Sequence, residues 1–411
     1  MDQVIVGKFG IGVILSICEI CIFLNKNDID KLGASYPKLI FAASFILFRL
    51  LPFFVIYSVF NFEPQSDVPI FFESAKAAIQ GGIVFRDFQT VYSPLFPYLT
   101  SLLIPLWDNP KSVVLILILL EGIFVWTTNL LVYTKLNPFK TLVYLALPSS
   151  FIFSVLGGQE DILMWGFLTI ILLVYSKKSN AMLLGILTGI ALLCTKFIFI
   201  LIIPAIVFYA KDWKKTVQVL LGLGLIGLPT FVILFQTSNW AFLGPISEAN
   251  IPRTPNLISF FHTITNGLSP LGPKYLNWMG LGLIELFLAY LIVKFREKLR
   301  FTHFMLCIFL LLFIWLMLIQ QSSYANYEYA YALPLVFLFD WKSKKDFAIF
   351  LLFNFLFAIQ PAIWWRNGLL QINSLSELAV PIKLCLFVLE TILVVGMLYW
   401  MRRIYKSFSI V

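Results

Sequence analysis

The chain has 411 residues, 60% of them apolar and only 12% charged, about half the charged share of a soluble domain. A mean hydropathy of +0.91, carried by unbroken apolar runs, excludes a soluble enzyme and a disordered chain. It also disfavours a β-barrel, whose strands alternate at every second residue.

Apolar runs fall at 9–24, 39–60, 113–133, 139–157, 161–176, 180–193, 197–210, 216–236, 276–294, 302–320, 327–340, 346–363 and 380–401. They predict an all-α polytopic transmembrane bundle of about 12–13 spans, at about 20 residues per crossing. The net charge of +9 does not call for a nucleic acid. Of the 30 Lys and Arg, 20 sit in seven short clusters between runs, at 26–38, 135–140, 177–178, 211–215, 294–300, 342–345 and 402–406. If each run crosses once, all seven share one side, the cytoplasmic one by the positive-inside rule. The stretch 94–107 must then stay out of the count. Its 14 residues reach about 21 Å against a core of about 30 Å, so it reads as an interfacial or re-entrant helix.

The first run follows Lys8 as a signal peptide would, but no small-residue cleavage site follows Leu24, and Glu19 lies inside it. A retained span and a helix lying on the membrane both remain open. The chain reads as one integral membrane domain over 1–411, with polar outer loops at 61–112 and 237–275 where function should be sought first. Cys18, Cys21, Cys194, Cys307 and Cys385 lie in or at the edge of apolar runs, and read as small buried apolar residues.

In the first loop, Ser66 or Asp67 can cap a short helix over about 70–80, with Pro69 in its first turn and Gly81-Gly82 as its stop. Asp67 is either a cap or a general base beside the membrane. Glu160 and Asp161 follow Gly157-Gly158-Gln159 between two runs, as caps or as ligands for a sugar or a divalent cation. Lys196 interrupts an apolar stretch and must snorkel or face a polar cavity. Arg253 lies in the second large loop; Arg86 and Asp87 read as a local ion pair; Arg366 beside Trp364-Trp365 reads as an interfacial belt. Of the in-membrane charges Glu19, Arg49, Glu121, Glu285 and Glu390, Arg49 and Glu121 could form a structural pair between helices. His262 and His303 stand alone, so no metal-binding histidine is expected, and neither a phosphate-binding P-loop nor a Gly-x-Ser-x-Gly elbow is present.

Several of these residues resemble a known pattern. Asp67, Gly82, Phe85-Arg86-Asp87-Phe88 and Tyr92-Ser93-Pro94-Leu95 are similar to the first outer loop of GT-C superfamily membrane glycosyltransferases. Gly158-Gln159-Glu160-Asp161 resembles the family's second polar loop. Gly185, Thr188 and Gly189 with Thr195-Lys196-Phe197 resemble its Gly-containing helix and Thr-Lys. The likeness covers about residues 40–210 and is nearest to the polyprenyl-phosphate-sugar-dependent mannosyltransferases. It implies a hexose transfer from a polyprenyl-phosphate donor to a lipid or glycan acceptor at the non-cytoplasmic face, with inversion. Asp67 would be the base; Glu160, Asp161, Lys196, Arg253, Arg86, Asp87 and Tyr92 would bind substrate. The eukaryotic members' Asp-x-Asp is replaced by Asp67-Val68-Pro69, so a divalent cation stays open, and no organic cofactor is expected. The alternative class is a transporter or lipid-linked-sugar flippase.

Overall fold

The computed structural model describes residues 2–209, 212–267, 273–341, 343–368 and 371–409. Lys211 and Lys342, in two of the basic clusters, lie outside them. Among the described residues the fold is all-helical, with no β-strand and one isolated bridge, Val84 to Phe88. In chain order the helices are α1 (Gln3–Leu24), α2 (Lys26–Ser35), α3 (Pro37–Val59), α4 (Val68–Ile79), α5 (Phe96–Thr100), α6 (Pro110–Tyr133), α7 (Pro138–Ala146), α8 (Pro148–Leu156) and α9 (Ile162–Lys178). They continue with α10 (Ala181–Cys194), α11 (Phe197–Tyr209), α12 (Trp213–Ser238), α13 (Leu257–Ile264), α14 (Pro273–Phe295), α15 (Phe301–Ile319), α16 (Glu328–Leu338), α17 (Lys344–Arg366) and α18 (Pro381–Ser409).

Eight of these are long and apolar enough to cross a membrane, or nine if the bent pair α7 and α8 counts as one. That is fewer than the 12–13 expected. Helices α9, α10 and α16, over the 161–176, 180–193 and 327–340 runs, have 17, 14 and 11 residues, and α11, over 197–210, likewise falls short of a full crossing of about 20 residues. Two breaks between helices have a local cause. Leu147 precedes Pro148 and is forced to an extended backbone, which bends α7 against α8 by 64°. Thr195 and Lys196 are extended as well, which separates α10 from α11. The 94–107 stretch holds only the five residues of α5 and a 3-10 turn, too short to cross.

Helix α15 is apolar on all sides and almost wholly buried, so the bundle is built around it, with α16 buried beside it. Helix α1 runs antiparallel along α17: Phe9 packs edge-on against Phe355 and Phe23 stacks on Phe347. It packs into the bundle along α17, as a retained span would. Helices α10 and α12 meet at glycines. A Cβ on Gly185 would lie 2.1 Å from the Val219 carbonyl, and one on Gly222 would lie 2.2 Å from that of Met182. Small residues let two backbones touch where no hydrophobic effect drives helices together.

Contacts sort the loops into two ends. Lys26 lies 3.9 Å from Asp340, the Lys140 ammonium donates to the Val336 and Phe339 carbonyls, and Arg403 pairs with Asp346 at 2.6 Å. Lys294 reaches Tyr405, the Tyr209 hydroxyl donates to the Leu299 carbonyl, and Tyr175 packs on Phe301. The described residues of all seven basic clusters therefore gather at one end. At the other, Arg366 lies 3.8 Å from Asp2 and donates to Gln65, and Gln360 donates to Thr254.

Between the ends, Arg49 and Glu121 form the expected pair, bidentate at 2.7 and 2.9 Å and inaccessible to solvent. Arg49 also donates to the carbonyls of Phe48 and Leu145 and to Ser150, while Glu121 accepts from Tyr144 and Ser154. Removing one partner leaves the other charge buried alone, at a cost of about 3–5 kcal/mol. Arg49→Met should therefore lower the melting temperature sharply, and adding Glu121→Leu should restore part of the loss. A double variant no more stable than the single one would show that the pair is not coupled in this way.

Candidate functional site

Helix α4 starts where the sequence places it, with Asp67 at the N-cap position and Pro69 in the first turn. The Asp67 carboxylate makes no capping bond, however. Half-exposed, it faces Tyr92, whose hydroxyl donates to its Oδ2 at 3.4 Å. Tyr92 is itself buried between Phe71 and Phe96, with ring centroids 4.9 and 4.8 Å away. Ser66, just before, has a φ of +61°, a conformation a non-glycine residue holds only when its surroundings hold it there. Part of that restraint is the Gln159 amide, which donates to the Ser66 hydroxyl at 3.0 Å.

The second acidic loop is thus locked against the first. Gly158 has a φ of +53°, and a Cβ there would meet Val68 Cγ2 at 2.5 Å. Two constraints demand glycine at this position. The loop then delivers Glu160 and Asp161 into the bundle, where both are buried. Asp161 occupies the N-cap position of α9 but makes no capping bond either. Lys196, 35 residues on, projects from the break between α10 and α11 and meets both carboxylates, at 2.7 Å from Glu160 and 2.6 Å from Asp161. The Leu95 amide donates to the Leu193 carbonyl at 2.8 Å, which ties the Tyr92 loop to the same break.

Two tyrosines complete the cluster. The Lys196 ammonium sits 4.7 Å from the Tyr327 ring and 6.0 Å from that of Tyr92. Tyr324 packs on Tyr327 at 4.9 Å and carries Arg253 over its ring at 4.8 Å. Asn326 donates to Gln159 at 2.6 Å. Sequence reading passed over these three residues; the density of Tyr, Gln and Asn between Gln321 and Tyr331, amid an apolar stretch, was the available signal.

Asp67, Tyr92, Glu160, Asp161, Lys196 and Arg253 are thus brought together from distant segments. Arg86 and Asp87 are not among them: they form an exposed 2.7 Å ion pair, and Asp87 also accepts from the Ile83 amide. Arg366 sits at the same end but binds Gln65 and Asp2. A cavity of about 350 Å³ adjoins the cluster, with Arg253 in its wall beside Asn256, His262, Trp364, Asn373 and Glu390.

Two acids share one ammonium. Burial pushes the Glu160 carboxyl up to about 7, against the pull of Lys196, and raises Asp161 as well. The two carboxylates in turn hold Lys196 well above its ordinary value, despite its burial. Lys196 reaches Glu160 Oε1 and Asp161 Oδ1, whereas Glu160 Oε2 and Asp161 Oδ2 have no hydrogen-bond partner among the described residues. These oxygens can accept hydroxyl protons from a polar ligand, at the charged strength such bonds carry. Among the described residues no group of three or more His, Cys, Asp or Glu side chains gathers to hold a metal ion.

No family model matches the chain, and no curated protein is detectably similar to it in sequence.

Two outcomes follow from this geometry. Gly158→Ala should destabilise the protein by about 1–3 kcal/mol through strain and overpacking against Val68; a thermal melt at wild-type temperature would refute the lock. A carboxyl raised on folding contributes stability at low pH that is lost as pH climbs from its ordinary value towards about 7. Glu160→Gln should therefore flatten the fall of melting temperature with pH across that window.

Proposed function

We propose that the chain is a membrane glycosyltransferase of GT-C type. It would move a hexose, mannose-like, from a polyprenyl-phosphate donor to a lipid or glycan acceptor at the non-cytoplasmic face, with inversion. The observation that carries the reading is Asp67: a half-exposed carboxylate at a helix start, released from capping, beside the buried cluster of Glu160, Asp161 and Lys196. That cluster lies at the end of the bundle away from all seven basic loops, as an outer-face site requires.

In this reading the acceptor hydroxyl lies against Asp67. As its oxygen forms the bond to the anomeric carbon, its proton passes to the Asp67 carboxylate. The bond from that carbon to the phosphate oxygen breaks on the opposite face, and its electron pair leaves with the polyprenyl phosphate. Arg253 and Lys196 would stabilise the charge that develops there. Glu160 and Asp161 would take hydroxyls of the sugar or acceptor on their open oxygens. Tyr92 would orient the base.

A transporter or flippase would use buried carboxylates as a relay. Glu121 is bound on both oxygens by Arg49, which supports a structural role for it instead.

The test is transfer of labelled sugar from a polyprenyl-phosphate donor by the purified protein. Asp67→Asn preserves shape and loses only the proton acceptor, so its rate should fall by about 10²–10⁴ with donor binding retained. Near-normal turnover in a well-folded variant would move the base to Glu160 or Asp161. No transfer by the wild type, with label instead crossing a vesicle membrane, would favour the transporter.

A further inference from the structure

Helices α14 and α18 end side by side at the basic end of the bundle. Lys294, Arg296, Lys298 and Arg300 follow closely on one, and Arg402, Arg403 and Lys406 on the other, with Glu297 the single carboxylate in either stretch. The ends are joined by a specific contact. The Lys294 ammonium donates to the Tyr405 hydroxyl, and to that of Tyr290 at 3.2 Å, while the Tyr405 ring packs edge-on against Phe295 at 5.8 Å. An ammonium has three N–H donors, so one is left for a further acceptor.

Two of the other basic clusters are held from within. Lys26 lies by Asp340, Lys31 by Asp28, and Lys140 holds the carbonyls that end α16. On this ridge Arg403 has an acidic partner of that kind, Asp346. Lys298, Arg300, Arg402 and Lys406 are exposed. The Tyr175–Phe301 contact brings Lys177 and Lys178 towards the same ridge. Tyr290 and Tyr405 mark its depth, since amphipathic rings settle at the headgroup level of a bilayer. Several cations lie within one Debye length of each other, so they act together on an anion placed among them.

We propose that the ridge between α14 and α18 binds the headgroup of an anionic phospholipid. The lipid phosphate meets Lys294, Arg296 and Arg402 while its tails lie along the exposed apolar faces of α14 and α18, where Leu286, Val293 and Val395 point outward.

Native mass spectrometry of the full chain tests this, with equimolar dioleoyl phosphatidylglycerol and dioleoyl phosphatidylcholine so that the tails are identical. Phosphatidylglycerol adducts should exceed phosphatidylcholine adducts about five-fold or more. Lys294→Gln/Arg296→Gln/Arg402→Gln should bring the ratio near one. Lys31→Gln/Lys38→Gln/Lys135→Gln, with the same loss of charge on other clusters, should leave it high. Tyr290→Phe/Tyr405→Phe keeps every charge but frees Lys294, and should lower the ratio in a protein that melts normally. Equal retention of both lipids by the wild type, or a preference that falls equally in both triple variants, would overturn the site.

Discussion

A charge that cannot reach water must find its counter-charge inside the protein, and this fold is arranged around two answers to that requirement. In the first, Arg49 and Glu121 satisfy each other completely, with Ser150, Ser154, Tyr144 and the Leu145 carbonyl taking up the remaining donors and acceptors. Such a network can only hold: it ties α3 and α6 to the bent pair α7 and α8. In the second, Lys196 is shared by Glu160 and Asp161, and two carboxylate oxygens are left over. An unfinished network at the end of the bundle is a place where a polar ligand gains what the protein lacks.

The route from one network to the other is short. The bend at Leu147-Pro148 turns α8 so that Ser150 and Ser154 reach the first pair, and α8 then ends at Gly157-Gly158, the loop that carries Glu160 and Asp161. Non-helical backbone is tolerated at such depth only where protein surrounds it. Here it does: Val68 fills the space over Gly158, and Asn326 and Ser66 occupy the Gln159 amide. The same logic holds at Thr195-Lys196, where the Leu95 amide takes up the freed Leu193 carbonyl. The breaks that shorten the helices are thus the positions from which the clustered side chains project.

Some of this was legible in the sequence. Hydropathy alone dictates a helical membrane protein, because every backbone polar group in lipid must bond within its own segment. The helix after Asp67 was readable from Pro69 and Gly81-Gly82, since these residues restrict the backbone locally. Arg49 and Glu121 could be suspected as partners, because each is too costly to bury alone. The resemblance to the glycosyltransferases singled out Asp67, Glu160, Asp161 and Lys196 one at a time, without joining them.

What tertiary structure alone decided is which of these groups meet and which tasks they are spared. Composition cannot tell a capping aspartate from one whose carboxylate is unused; that depends on backbone angles at Asp67 and Asp161. Nor does spacing along the chain place Lys196 between two acids 35 residues away, or lay Tyr324 and Tyr327 against it, because those approaches depend on how α9, α11 and α16 pack. The span count diverged because four apolar runs, 161–176, 180–193, 197–210 and 327–340, form helices shorter than a full crossing of about 20 residues, and packing rather than hydropathy sets where each one ends. Local chemistry along the chain dictated the solvent and the elements; only long-range packing, which brings remote backbone breaks together, could assemble the site.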